Sequence, residues 1–370
     1  MATIQKQVRM VFDLNKCLGC HACSMGCKTQ WTDRNPGLQY QYWNNVETQP
    51  GRGYPKSWET LGGGFTGNNQ VDLGPDVHVG NLPTIQGDYG SAWEYNYDSV
   101  LKTGGGDATS SRLAPSPAPD GAGAYASNWD EDRGEGDMPN NYYFYLPRMC
   151  NHCTNPACVA ACPRQSIYKR EEDGIVLVDQ NRCRGYRYCV KGCPYKKTYF
   201  NPTDKVSQKC ILCYPRRTDK LQPTDPQPDL AATFMAPFCH TQCVGRIRFI
   251  GYSTNPAANV NKLVNVWKVG LRLHPEFGTE PNLFYVPPLS PPTFAANGAA
   301  TTTPRIPVAY LASLFGDNAS QTQKERVARV QQVLDTIAAE RTKVAAGGTS
   351  ELISILTAPT EADRLQLHLG

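Results

Sequence analysis

Thiols dominate the chemistry open to this sequence. Of its 370 residues 15 are cysteines, confined to 17–27 and 150–243. Their spacing repeats. Cys17, Cys20, Cys23 and Cys27 form run A, at offsets 0, 3, 6 and 10. Cys183, Tyr186, Cys189 and Cys193 form run A′ at the same offsets, with tyrosine in the second place. Cys150, Cys153, Cys158 and Cys162 form run B, C-x2-C-x4-C-x3-C. Cys210, Cys213, Cys239 and Cys243 form run B′, which keeps both ends around a 25-residue middle. A C-x2-C-x2-C turn presents three thiolates from one loop, enough for three corners of an iron–sulfur cube. The fourth cysteine, after its three-residue gap, is expected to start a helix that points away. Proline follows Cys162 and Cys193 but not Cys27 or Cys243.

In two-cluster ferredoxins that fourth cysteine ligates the other cluster, and the same crossing assigns every thiol here. Runs B and A′ are neighbours in sequence and form one module, which leaves A and B′ to form the other. Cys150, Cys153, Cys158 and Cys193 would hold one [4Fe-4S] cluster. Cys162, Cys183 and Cys189 would hold a companion with Tyr186 at its fourth corner, and the missing thiolate implies [3Fe-4S]. Cys17, Cys20, Cys23 and Cys243 would hold a second [4Fe-4S] cluster, and Cys27, Cys210, Cys213 and Cys239 a third. This uses all fifteen cysteines.

Zinc is the rival metal, with His21, His152 and His240 available inside the runs. Structural zinc usually takes two separated C-x2-C pairs, which explains neither the repeated offsets nor the Cys-Pro endings. The three histidines read better as supporting donors or packing residues. Between 182 and 220 lie Arg182, Arg184, Arg187, Lys191, Lys196, Lys197, Lys205, Lys209, Arg216, Arg217 and Lys220, against Asp204 and Asp219. These cations coincide with the ligand loops, so compensation of anionic clusters is a better reading than nucleic-acid binding, with some of them on a solvated face.

The elements around the thiols follow from pattern. Val8, Met10 and Phe12 alternate as a strand before run A, and VFDLNKC matches VLVDQNRC before run A′. GRIRFIGY after Cys243 reads as a closing strand. Residues 51–140 carry 17 of the 32 glycines and the aromatics Tyr54, Trp58, Phe65, Trp93, Tyr95, Tyr97 and Trp129. They read as an ordered, irregular excursion lying on something, such as a partner chain; a flexible loop is the plain alternative. Residues 281–307 are Pro-rich and extended. Val327, Val330, Val333, Leu334 and Ile337 lie at helical spacing within 319–346, and a short helix is expected over 351–356. The expected fold class is α+β: two bacterial-ferredoxin-like dicluster modules (1–50 plus 203–252, and 141–202), the insertion 51–140, and an extended and helical C-terminal subunit-contact region, 253–370.

A formal net charge of +4 and 19% charged residues are ordinary globular values, too mild for a nucleic-acid footprint. No run is long and apolar enough for a direct membrane span, and no signal peptide is visible at the N-terminus. There is no P-loop, dinucleotide fingerprint, H-E-x-x-H or nucleophile elbow. The chain is therefore expected to have no catalytic site of its own and to act as a wire.

The stretches DLNKCLGCHACSMGCK, YWNNVETQPGRGYPKSWETLGGGF, YLPRMCNHCTNPACVAACPRQSIYKREEDGIVLVDQNRCRGYRYCVKGCPYKK and LHPEFGTEPNLFYVPPLSPP resemble the iron–sulfur beta subunits of type II molybdoenzymes of the dimethyl-sulfoxide-reductase family. That group includes ethylbenzene and dimethyl-sulfide dehydrogenases, perchlorate, chlorate and selenate reductases and, more distantly, respiratory nitrate reductase and nitrite oxidoreductase. The resemblance covers most of residues 8–290. It implies the same ligand crossing, with an aromatic residue at Tyr186. It implies a catalytic alpha subunit with a molybdenum bis-pterin cofactor, facing the A/B′ module, and a haem b gamma subunit, facing the B/A′ module. The 51–140 excursion and the C-terminal segments would clasp the alpha subunit. Periplasmic location by co-export with that subunit is the expectation, a cytoplasmic one the alternative. The middle of run B′ is longer than the resemblance leads one to expect. A free-standing polyferredoxin is the alternative function, against which the excursion and the C-terminal arms speak.

Overall fold

The computed structural model describes residues 4, 6–33, 35–73, 82–85, 87–90, 129, 134–217 and 236–358. Trp93, Tyr95 and Tyr97, the Gly-rich stretch up to 128, the middle of run B′ with Asp219 and Lys220, and the tail after 358 lie outside the described residues.

Each cysteine run sits between strands. β1 (Val8–Asp13) enters run A, and α1 (Ala22–Trp31) follows it. β2 (Asn45–Gln49) and β3 (Phe144–Arg148) pair antiparallel, Asn45 opposite Arg148. Run B then holds α2 (Ala157–Ala160) and is followed by β4 (Ile167–Lys169), which pairs with β5 (Val176–Val178). Run A′ holds α3 (Tyr188–Gly192), and the hairpin β6 (Thr198–Asn201) and β7 (Val206–Lys209) follows. Run B′ holds α4 (Phe238–Thr241) and leads into β8 (Arg248–Tyr252). β8 pairs antiparallel with β1, so the strand leaving B′ lies on the strand entering A. β4 and β5 repeat that arrangement for B and A′.

The long excursion has a simple place in this scheme. β2 and β3 correspond to β6 and β7, whose turn is residues 202–205, so the excursion is an enlarged hairpin turn. Three of its described aromatics are buried within this chain. Tyr54, Trp58 and Trp129 are buried to within 1%, with Tyr54 and Trp129 centroids 4.5 Å apart. Glu47 of β2 holds the first two: its carboxylate accepts from the Tyr54 amide and the Trp58 indole, both at 3.1 Å. Arg148 of β3 pairs with that carboxylate.

The C-terminal part completes the first sheet. β9 (Arg272–Leu273) precedes β10 (Leu283–Val286), which runs parallel to β1 and makes β1 the central strand. Val11 is buried along with Val8, Met10 and Phe12, so both faces of β1 are covered. α5 (Val308–Leu314) leads to α6 (Gln323–Ala345), which starts with a Thr322/Glu325 capping box and buries Val330, Val333, Leu334 and Ile337. α7 (Glu351–Thr357) buries Leu352, Ile355 and Leu356. Lys16 and Arg246, beside Cys17 and Cys243, donate to the carbonyls of Leu356 and Ala358. One core joins these helices to the first sheet and the excursion's aromatics; Ile167, Val176 and Val190 form a small second cluster with Cys158 and Cys189.

Candidate iron–sulfur centres

The backbone repeats along with the sequence. In run A, Gly19 (φ 65°) and His21 (φ 54°) are left-handed; in run A′, Gly185 (φ 64°) and Arg187 (φ 65°) are left-handed at the same offsets. Positive φ is uncommon outside glycine, so this agreement at non-glycine positions means one loop shape built twice. Runs B and B′ match similarly: His152 and Leu212, each two residues past a leading cysteine, are left-handed, as are Gln165 and Arg246, three past the last. One expectation needs correction. The fourth cysteine does not start a helix. Cys27 lies inside α1, and Cys193 caps the end of α3 in an extended conformation. A residue before proline is disfavoured in the α region, so Pro194 ends α3 at Gly192. Lys28 carries no such constraint, and α1 continues to Trp31.

None of the fifteen thiols is in a disulfide, and all but Cys20 fall into four neighbourhoods. Cys27, Cys210, Cys213 and Cys239 line one small cavity with Trp31 and Met149. Cys162, Cys183, Cys189 and Tyr186 line another with Ser166 and Ser207. Cys150, Cys153, Cys158 and Cys193 lie within electrostatic reach of one another, as do Cys17, Cys23 and Cys243. Cys20 is exposed at the loop's tip. The neighbourhoods follow in succession, each within electrostatic reach of the next: Cys189 of Cys193, Cys150 of Cys210, and Cys23 of Cys27 and Cys239. Among the described residues, no three His, Cys, Asp or Glu side chains converge on a single ion's position.

Burial and mutual repulsion hold Cys17, Cys27, Cys153, Cys158, Cys189, Cys193, Cys210 and Cys239 protonated in the bare protein. Burial pushes Cys17, Cys189 and Cys239 up to about 12, with neighbouring thiols adding to it. Cys27 and Cys158 are pushed well up for the same reasons. Such groups ionise together only when cations sit among them, which iron provides; the donor set fits iron–sulfur clusters. Cys162 differs. Burial raises its thiol, but the Ser166 hydroxyl and the amides of Ile167, Ser166 and Arg164 outweigh that and leave it below its usual value.

Donors to sulfur that the spacing did not disclose surround the sets. The Ser207 amide donates to Cys183 Sγ, the Leu212 amide to Cys210 Sγ and the Trp31 indole to Cys213 Sγ, each at 3.3 Å. The Cys189 thiol lies 3.2 Å from the Ser207 hydroxyl. The basic run divides: Lys191, Lys196, Lys197 and Lys209 are buried, while Arg182, Arg184, Arg187 and Lys205 are exposed near Tyr186, itself 58% exposed. Burial pulls the Lys196 ammonium down to about 8 against the pull of Cys193 and Asp72. His152 is a support: its Nδ1 accepts from the Val176 amide at 3.1 Å. His21, the left-handed residue before α1, has Nδ1 3.4 Å from the Ser24 hydroxyl. His240 is buried within α4.

Repeated ferredoxin-type loops and grouped thiols define the class as iron–sulfur dicluster proteins, and residues 141–253 match a 4Fe-4S dicluster domain family. The chain is 49% identical to dimethylsulfide dehydrogenase subunit beta of Rhodovulum sulfidophilum, covering 95% of this chain and 96% of that one. It is 49% identical to selenate reductase subunit beta of Thauera selenatis (97% and 98%) and 48% identical to chlorate reductase subunit beta of Ideonella dechloratans (97% and 98%). The chain belongs to the iron–sulfur beta subunits of the type II molybdoenzymes and is an electron-transfer subunit of an oxidoreductase complex.

Proposed function

We propose that this subunit relays electrons through three [4Fe-4S] clusters and one [3Fe-4S] cluster, between a catalytic molybdopterin subunit and a haem b subunit. Cys17, Cys20, Cys23 and Cys243 hold the first cluster, Cys27, Cys210, Cys213 and Cys239 the second, Cys150, Cys153, Cys158 and Cys193 the third, and Cys162, Cys183 and Cys189 the three-iron cluster beside Tyr186. The observation that carries this reading is the succession of thiol neighbourhoods, with a tyrosine in one of them. The clusters supply one-electron transfer; the protein orders the thiols, donates N–H groups to sulfur and buries cations beside them. On this reading the A/B′ and B/A′ halves are two dicluster modules, and the chain has no reaction site of its own. Support for a molybdenum partner comes from the relatives, named as beta subunits of a dehydrogenase and of reductases. Among the described residues no helix is long and apolar enough to cross a membrane, and haem b belongs to another chain.

Affinity purification of the tagged chain under anaerobic conditions tests the proposal. It predicts co-purification of a large molybdenum-containing subunit and a haem subunit, with periplasmic recovery that is lost when the large subunit's export signal is deleted. A chain that purifies alone, stable and fully loaded, would instead be the polyferredoxin.

A further inference from the structure

Between the two neighbourhoods of the A/B′ half stands a buried guanidinium with no carboxylate hydrogen-bonded to it among the described residues. Arg248, the first residue of β8, is 1% exposed. Its Nη2 donates to Asn44 Oδ1 at 2.9 Å and its Nη1 to Met149 Sδ at 3.7 Å. It lies over the Phe12 ring at 4.6 Å, and its Nε has no hydrogen-bond partner among the described residues. Asn44 and Met149 both line the cavity of Cys27, Cys210, Cys213 and Cys239. Cys17, Cys23, Cys239 and Cys243 favour its charged form, although burial opposes it. A buried cation without an anion is costly, so this one belongs beside groups that become anionic on loading.

The internal repeat provides a control. Arg248 follows Cys243 by five residues and faces Phe12, five before Cys17. Ile167 follows Cys162 by five and faces Val178, five before Cys183. The position that carries a cation in one half is apolar in the other.

We propose that Arg248 is a fixed positive charge that raises the reduction potentials of the two clusters of the A/B′ half and leaves the other two where they are. Reduction adds negative charge to a cluster, and a nearby cation in a low-dielectric interior favours that state. The inference rests on the proposed ligand sets. Arginine stays protonated at any working pH, so the effect is independent of pH.

Redox titration of the holo complex, followed by electron paramagnetic resonance, tests this with Arg248→Gln, Arg248→Lys and Asn44→Asp. Iron content and the full set of cluster signals check the ligand sets separately. Arg248→Gln is expected to shift two midpoints downward with the other two unmoved, and Arg248→Lys to keep the wild-type order. Asn44→Asp leaves the guanidinium in place but puts a carboxylate on it, and should lower the same two midpoints even if the glutamine variant does not load. Fully loaded variants with unchanged midpoints, or with all four moving together, would overturn the proposal.

Discussion

Tyr186 was legible because it breaks a repeat: the offsets name its place, and the structure sets it in one cavity with Cys162, Cys183 and Cys189. Tyr186→Cys should complete that corner, replacing the three-iron signal by a fourth cube of lower potential in electron paramagnetic resonance; an unchanged spectrum would remove Tyr186 from the corner. Arg248 and Ser207 were not legible, since neither lies in a cysteine run and each gains its role only when a strand folds back. His274 was equally silent. It joins the excursion to α6, with Nε2 3.2 Å from Glu59, Nδ1 2.8 Å from Glu276, and Glu276 in turn on Arg326. Burial opposes its charge, but the hydrogen bonds to Glu276 and Glu59 outweigh burial and raise its pKa above the usual 6.5. Stabilisation by a raised pKa is complete below the unfolded value and disappears as pH climbs through the folded one. The gap in thermal midpoint between wild type and His274→Gln should therefore narrow from pH 6 upward. A gap that is constant with pH would contradict the imidazolium clamp.

Among the elements, those with a clear period were readable. The apolar residues predicted for α6 at helical spacing are largely those it buries, and GRIRFIGY supplies β8. Ile337→Ala, deep under α6, should destabilise the chain by about 2–5 kcal/mol in denaturant titration. Loss of the Thr322 cap by Thr322→Ala should cost about 1 kcal/mol. β10 was less readable. Its FYV core sits among prolines, which announce extended chain but not a partner, and its parallel pairing with β1 spans over 270 residues of sequence. The excursion was readable as ordered chain, but not what its aromatics lie on. Exposed-looking aromatics in Gly-rich sequence suggest a partner's surface, yet Tyr54 and Trp58 close on Glu47 and Arg148 of their own chain.

For the whole molecule, that buried ion pair ties the excursion to the body. Burial alone would raise the Glu47 carboxyl, but Arg148 and Lys197 overcome it and keep it ionised. Glu47→Gln would strand Arg148 and should cost about 3–5 kcal/mol, with faster proteolysis within 51–143 as its visible sign. Loop backbones, hairpins and strand pairs around runs A and B′ recur around runs B and A′, and the C-terminal helices share a core with the first sheet. The most direct test of the central claim is iron analysis of the anaerobically purified complex, combined with electron paramagnetic resonance of its oxidised form. The account predicts about 15 iron atoms per beta subunit, from three four-iron clusters and one three-iron cluster, and an oxidised [3Fe-4S] signal. Sixteen iron atoms without that signal, or a colourless iron-free chain, would contradict it.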